Sequence, residues 1–339
     1  MCPSVVPVVC FNEQNLLDSY ELLIQGEKLF ATERLGEGVF TVCRDFEGEH
    51  SPKNSLPVIV GEDHSICCIQ LRQIDGGIMA FYWNGQAEVN CSILEMPDRH
   101  VFFGRMGGMI ESDRLIDKQV AVVGLGSFGS HIVPELAKCG VGKFGLFDFD
   151  RLEPGNLIRH ACGLADVGRL KVNAVRDLVW QSNPFAVVDT FPVDINMNKT
   201  EFLSWVEKAD LIICVTDENR SRIFCTKAGL QLGKTVIYGR AITRAEGGDV
   251  LRFRPGSSPC LGCLIGKKLF TYQEEEVSTL KLSMRNAPAY MDTNDVEAQV
   301  QVGLSTDIVP IWNMVVRLAL IELMRGDSGI WERLEEDLT

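Results

Sequence analysis

The stretch 119–159, QVAVVGLGSFGSHIVPELAKCGVGKFGLFDFDRLEPGNLIR, constrains the fold of this chain more than any other. It opens with an apolar, β-branched run at 120–123, the pattern of a strand buried on both faces. Gly124, Gly126, Ser127 and Gly129 follow at once in GLGSFG. Residues 130–139 then place Ile132, Val133, Leu136 and Ala137 on one helical stripe that stops at Gly140. A second strand over 143–147 ends in Asp148-Phe-Asp150. Strand, glycine turn, helix, strand and acidic end is the order of a nucleotide-binding βαβ unit. The glycines let the backbone approach phosphate closely, and the helix start offers N–H groups and a positive dipole end. Asp148 falls where a carboxylate accepts hydrogen bonds from ribose hydroxyls. The expected fold is α/β, a Rossmann-like, doubly wound and mostly parallel sheet.

GxGxxG alone points first to an NAD-dependent oxidoreductase. The residues that follow change the balance. Asn156, Arg159 and, after Gly168, Lys171 put an amide and two cations just downstream of the acidic strand end. A dinucleotide needs no such group there. A nucleoside triphosphate does, because cations must meet the charge that develops on a leaving pyrophosphate.

GLGSFGS, the continuation AKCGVGKFGLFDFDRLEPGNLIRH, the GRLK step and the later CVTDENRSR together resemble the superfamily of ThiF, MoeB and the ubiquitin-activating enzymes. The resemblance covers roughly residues 99–326. It implies an ATP- and Mg2+-dependent adenylyltransferase that activates the C-terminal glycine carboxylate of a ubiquitin-like or sulfur-carrier protein. It also implies a homodimer and a downstream conjugating or sulfur-transfer enzyme. By the same resemblance Asp148 and Asp150 lie at the ribose end, Asn156, Arg159 and Lys171 hold the phosphates, and Asp217 holds magnesium. A basic residue ahead of the first strand reaches the partner's ATP site in this family. Arg99, 21 residues before Val120, is assigned that role, with Arg105 as second choice. A microcin-type peptide-adenylating enzyme, an NAD-dependent oxidoreductase and a carrier-binding pseudoenzyme are the alternatives.

Asp217 also has a reading from its own surroundings. It ends the buried strand 211–215 with Thr216, where an α/β sheet collects ligands, or it caps the helix 219–232. Glu218 follows it where the family usually has Asn. Downstream, 235–238, 239–243 and 247–254 read as strand-like segments. Cys260-Leu-Gly-Cys263 is half of the four-cysteine zinc site of many relatives, and no cysteine follows it. Tetrahedral zinc wants four ligands, so zinc is doubtful, and the two thiols stand as residual structural cysteines or as acceptors of a carrier thioester. Adenylation without an obligatory enzyme thioester is the preferred reading. Residues 268–299 read as a mobile crossover, and 308–325 as a closing helix whose stripe Ile311, Met314, Val315, Leu318 and Leu323 packs in the core.

Residues 1–95 read as a separate, small α+β domain with an antiparallel sheet and a helix over 12–23, and 96–339 as the adenylation domain. Strand-like runs at 39–42, 57–60, 66–71, 78–83 and 87–93 alternate with turn signals such as Asp75-Gly-Gly and Asn84-Gly85. His64, Cys67 and Cys68 lie close in sequence, but no spaced ligand pair completes a metal set. The 46% hydrophobic and 23% charged residues support a substantial core. The 33 basic against 46 acidic residues, net −13, argue against non-specific nucleic-acid or anionic-membrane binding. Twelve cysteines scattered through apolar segments suit reduced thiols, and with no apolar run approaching ~18 residues the expected location is cytoplasmic.

Overall fold

The computed structural model describes residues 8–11, 16–25, 28–34, 39–44, 55–95, 97–110, 112–241, 247–267 and 304–326. It divides into two compact units, Met1–Phe102 and Phe103–Thr339. The expected crossover at 268–299 lies outside the described residues.

The first unit contains β1 (Val8–Phe11), α1 (Leu16–Ile24), β2 (Leu29–Arg34), β3 (Val39–Arg44), β4 (Ser55–Val60), β5 (Cys68–Ile74), β6 (Gly77–Trp83), β7 (Glu88–Asn90), β8 (Ser92–Glu95) and α2 (Arg99–Phe102). Its single sheet runs β7-β6-β5-β4-β2-β3-β1-β8. The sheet is mixed rather than antiparallel: β1 pairs in parallel with β3 and β8, and β4 with β5. The expected strand over 87–93 is broken at Cys91, whose N–H still bonds the carbonyl of Ala80 on β6 at 2.9 Å. The two strands at the ends of the ladder are thus joined through one residue, and the sheet curls until its ends meet. Ile74 pairs with Gly77, leaving Asp75 and Gly76 as a two-residue hairpin turn with φ of 51° and 84°. That is the left-handed backbone that an Asp-Gly pair accommodates. Val9, Leu29, Ala31, Phe40, Val42, Val58, Ile69, Leu71 and Ala80 form the core. Cys68 is fully buried, whereas Cys67 is exposed.

The second unit is built on β9 (Gln119–Val123), α3 (Gly129–Lys138), β10 (Lys143–Phe147), α4 (Lys171–Ser182), β11 (Val187–Phe191), α5 (Lys199–Val206), β12 (Leu211–Cys214), α6 (Asn219–Leu232), β13 (Thr235–Ala241), β14 (Gly248–Phe253), α7 (Leu261–Gly266) and α8 (Ser305–Leu323). Its sheet runs β11-β10-β9-β12-β13-β14, all parallel except β14. The expected break after residue 238 is absent, because β13 runs on to Ala241 to keep its antiparallel ladder with β14. Strand order reverses between β9 and β12, the place where doubly wound sheets open a crevice for ligands.

Alternation along β9 sends its side chains to opposite faces. Val120 and Val122 join Ile132, Val133 and Leu136 of α3, Val172 and Val175 of α4, and Val315 of α8. Ala121 and Val123 join Phe147, Phe202, Cys214, Cys225 and Tyr238 on the other face. One face is mainly aliphatic, the other rich in aromatic rings and sulfur. Of the α8 stripe, Met314 departs from the expectation: it is 47% exposed, while Val315 and Leu323 are buried.

Candidate functional site

The turn after β9 shows why glycine stands at two of its three glycine positions. Gly124 has φ of 89°, left-handed backbone, and a Cβ there would lie 3.0 Å from Thr216. A Cβ on Gly129 would sit 2.0 Å from the Gly124 carbonyl oxygen, so α3 begins against the turn only because Gly129 has no side chain. At Gly126 a Cβ would meet nothing within 4 Å. The turn is tight on the protein side and open at Gly126, where α3 begins, while the N–H groups of Ser130, His131 and Ile132 already donate to the Gly126 and Phe128 carbonyls at 3.1, 3.0 and 2.9 Å.

Asp148 follows β10. Its two carboxylate oxygens accept separate backbone bonds, one from the N–H of Leu125 at 2.6 Å and one from the N–H of Asp150 at 2.8 Å. A carboxylate offers about four acceptor positions, so each oxygen keeps capacity for a hydroxyl. Burial pushes the Asp148 carboxyl above its ordinary value, while Lys171 and the two N–H bonds pull the other way. Lys171 is the first residue of α4, and its Nζ donates to Asp150 Oδ2 at 2.8 Å. Backbone bonds bring it there: Leu152 N–H to Arg169 O and Gly168 N–H to Leu152 O, each 2.8 Å, and Lys171 N–H to Asp150 O at 3.0 Å. Asp150 is therefore a partner of Lys171 as well as a neighbour of the ribose position.

Asn156 Oδ1 accepts the N–H of Glu153 at 3.0 Å. That bond fixes the turn and leaves the amide nitrogen as the donor end of the side chain. Arg159 is the next half-buried residue of the same loop to carry a donor. His160 follows it and is a residue that sequence reasoning missed. Its Nε2 donates to the Leu125 carbonyl at 2.8 Å and its Nδ1 accepts the N–H of Cys162 at 3.1 Å. One imidazole thus ties the loop of Asn156 and Arg159 to the glycine turn. Burial pushes its pKa down to about 4, which keeps the ring neutral, as one donor and one acceptor require. A single histidine in NLIRH carries no signal of this.

Asp217 lies beyond β12 and is exposed. Glu218, not Asp217, is the N-cap of α6, and it makes no side-chain cap bond. The loop is held from within by Arg222, one of the largest fully enclosed side chains at 2% exposure. Its guanidinium donates to the Thr216 carbonyl and to Asn219 Oδ1, the latter at 3.2 Å. Thr216 Oγ1 and Ser221 Oγ are 2.6 Å apart. Burial lowers the pKa of Arg222, with nearby Cys214 and Asp217 opposing. In the sequence Arg222 is only the last residue of CVTDENRSR. Burial, which one sequence does not display, makes it the anchor.

The strand ends of β9, β10 and β12 thus bring Gly124, Gly126, Gly129, Asp148, Asp150 and Lys171 into one region, with Thr216 against Gly124. Ser127 is in the same turn, half exposed. Arg99 begins α2 in the first unit, and Arg105 is in the second. Cys260 and Cys263 are elsewhere, at α7, whose Leu261 is buried in the aromatic-rich cluster. Among the described residues no group of three His, Cys, Asp or Glu side chains is placed to hold a metal ion. Magnesium does not require one, since it binds nucleotides through one or two carboxylates plus phosphate oxygens and water. No helix among the described residues is long and apolar enough to cross a membrane.

The model of the ThiF family matches residues 98–326. An uncharacterized protein, y4oA, of Sinorhizobium fredii is 28% identical over 241 residues, 66% of this chain and 40% of that protein. Adenylyltransferase and sulfurtransferase UBA4 of Eremothecium gossypii is 29% identical over 57% of this chain and 42% of that protein. Ubiquitin-like modifier-activating enzyme 5 of Caenorhabditis elegans is 29% identical over 47% of this chain and 40% of that protein. The chain spans about two fifths of the length of these relatives. A solved structure, E. coli MccB with MccA-N7isoASN, aligns with a TM-score of 0.49 at 16% identity, over 65% of this chain and 61% of that one.

Proposed function

The chain belongs to the ThiF family, and from that premise we propose that it is an ATP-dependent adenylyltransferase acting on the C-terminal carboxylate of a ubiquitin-like or sulfur-carrier protein. The observation that carries this reading is the pairing of a glycine turn with a cation at the same strand ends: Lys171, 2.8 Å from Asp150, stands beside the Asp148 position. A nicotinamide dinucleotide has no use for an amine there, whereas a triphosphate does.

In the proposed reaction a carboxylate oxygen of the carrier attacks the α-phosphorus in line, forming an acyl-phosphate bond. The bond from the α-phosphorus to the bridging oxygen breaks, and pyrophosphate leaves with that electron pair. A carboxylate is already a nucleophile at neutral pH, so positioning and charge stabilisation supply the catalysis. Asp148 accepts the ribose hydroxyls. The turn of Gly124, Gly126, Ser127 and Gly129 and the start of α3 receive phosphate oxygens. Asn156, Arg159 and Lys171 meet the charge on the departing pyrophosphate, Lys171 exchanging Asp150 for phosphate. Asp217, exposed and clear of the helix cap, is the carboxylate for Mg2+, which when bound neutralises phosphate charge. Arg99 is assigned to a partner subunit's site, and the active form is then a homodimer.

The test is ATP–pyrophosphate exchange with candidate carriers ending in Gly-Gly, alongside a short free peptide. Carrier-dependent exchange supports the reading, and peptide-only exchange replaces it with a peptide-adenylating enzyme. Nicotinamide binding without ATP use rejects it. For the dimer, Arg99→Ala and Asp217→Ala subunits, each inactive, should regain activity when mixed. If verified subunit exchange restores nothing, Arg99 does not act across an interface.

A further inference from the structure

The pair Cys260 and Cys263 is left over by the reading above, and the residues around it do not fit the zinc site that the family implies. Tetrahedral zinc takes four ligands. Among the described residues no third His, Cys, Asp or Glu completes a set. What the structure offers instead is two thiols with their sulfurs 3.5 Å apart, Cys263 exposed and Cys260 half-buried.

We propose that Cys260 and Cys263 are a redox dithiol that closes to an intramolecular disulfide by exchange with a low-molecular-weight disulfide, glutathione disulfide being the probe. In the first step the Cys260 thiolate attacks one sulfur of the external disulfide. A mixed disulfide forms and one thiolate leaves. In the second step the Cys263 thiolate attacks Cys260 Sγ, closing the ring and expelling the second thiolate. The protein loses two electrons and two protons, and the external disulfide becomes two thiols. An external dithiol reverses both steps.

Three observations single out this pair. The sulfurs need to approach by about 1.5 Å to reach bonding distance, and the i,i+3 spacing, with Cys260 the N-cap of α7 and Cys263 in its first turn, leaves that to side-chain rotation. Access divides it from the other thiols. Cys214 and Cys225 are neighbours but fully buried, out of reach of a solution disulfide. Cys67 is exposed and Cys68 buried, so adjacent positions in the chain face different surroundings. Reactivity divides it as well, because the thiolate is the nucleophile. Burial pushes Cys91 and Cys162 up to about 12 and Cys139 up to about 11. Burial also opposes ionisation of Cys260, but bonds from the backbone N–H groups of Cys263 and Gly262 and from the Cys263 thiol outweigh it and bring the value down.

The experiment uses the full chain, incubated in glutathione buffers of rising disulfide fraction, quenched with acid, alkylated, digested and analysed by mass spectrometry. The expected result is a Cys260–Cys263 disulfide that forms with rising oxidant and is lost on adding dithiothreitol, while Cys214 and Cys225 remain reduced. In Cys263→Ser the exchange should stop halfway, leaving Cys260 joined to glutathione. Elemental analysis of the purified protein accompanies it. Both thiols staying reduced at the highest disulfide fraction would overturn the proposal. So would one zinc per chain that disappears in Cys260→Ser, or a Cys263→Ser protein that takes up no glutathione at Cys260.

Discussion

The ends of β10 and β12 flank the same glycine turn, yet they hold their carboxylates in opposite ways. Asp148, after β10, is gripped by two backbone N–H groups and faces a lysine. Asp217, after β12, is exposed, and its order comes from the chain on either side through the buried Arg222. The first arrangement is preorganised for neutral hydroxyls, which need an acceptor of fixed direction. The second leaves charge open to solvent, as suits a cation that arrives with its own waters and phosphates. A half-buried carboxylate is partly desolvated whether or not a ligand comes, whereas an exposed one is only desolvated when the ligand covers it.

The contrast breaks first at Asp217. Asp217→Ala is expected to lower ATP–pyrophosphate exchange on the order of 10²–10³-fold, the loss typical of one charge-stabilising group, with an unchanged melting transition. Exchange within about threefold of the parent would remove Asp217 from the transition state. Lys171→Ala comes next, with an expected loss in kcat on the order of 10–10²-fold, from a charged hydrogen bond of about 1.5–3 kcal/mol. Because Asp150 loses its partner as well, Asp150→Asn in the same background should change little more, and an additive loss would show that the two act separately. Asp148→Asn is predicted to raise KM for ATP about tenfold with kcat nearly held, since a ribose contact binds ground and transition states alike. A kcat loss equal to that of Asp217→Ala would erase the distinction between the two strand ends.

The last effect is on stability and concerns pH. His160 is held near 4 against an ordinary 6.5, so the unfolded chain binds the extra proton first as pH falls. Its contribution to stability is complete above about 6.5 and is lost progressively down to about 4, on the order of 3 kcal/mol in all. Urea unfolding at several pH values should show this slope in the parent and a shallower one in His160→Gln, which keeps a donor for Leu125 O but does not titrate. Equal slopes would mean that His160 is not held neutral by the fold.

The parallel unit was legible in the sequence because its signals are local and its four central strands are buried on both faces. GLGSFG fixes a turn, β-branched runs fix strands, and helix 219–232 is where the sequence placed it. Belonging to the ThiF family accords with the motifs that suggested it. The first unit was less legible. β1 and β2 were not recognised, because 8–11 is four residues long and 29–34, LFATER, does not alternate cleanly. Its parallel pairs could not be foreseen either, because partners such as Val8 and Ser92 are set by contacts far apart in the chain. At the site, residue types with a motif were found. His160 and Arg222 act by being enclosed, and enclosure is a property of the folded neighbourhood.

The curled sheet of the first unit has a consequence for how the chain tolerates trimming. β1 is the strip inserted between β3 and β8, bonded to both in parallel, and it lies nearest the start of the chain. Loss of those few residues would unzip a seam, exposing two unpaired strand margins at once, and such margins recruit strands from other molecules. A chain begun at residue 12 should therefore be sticky rather than merely weaker, and its self-association should rise with protein concentration while the second unit keeps its fold.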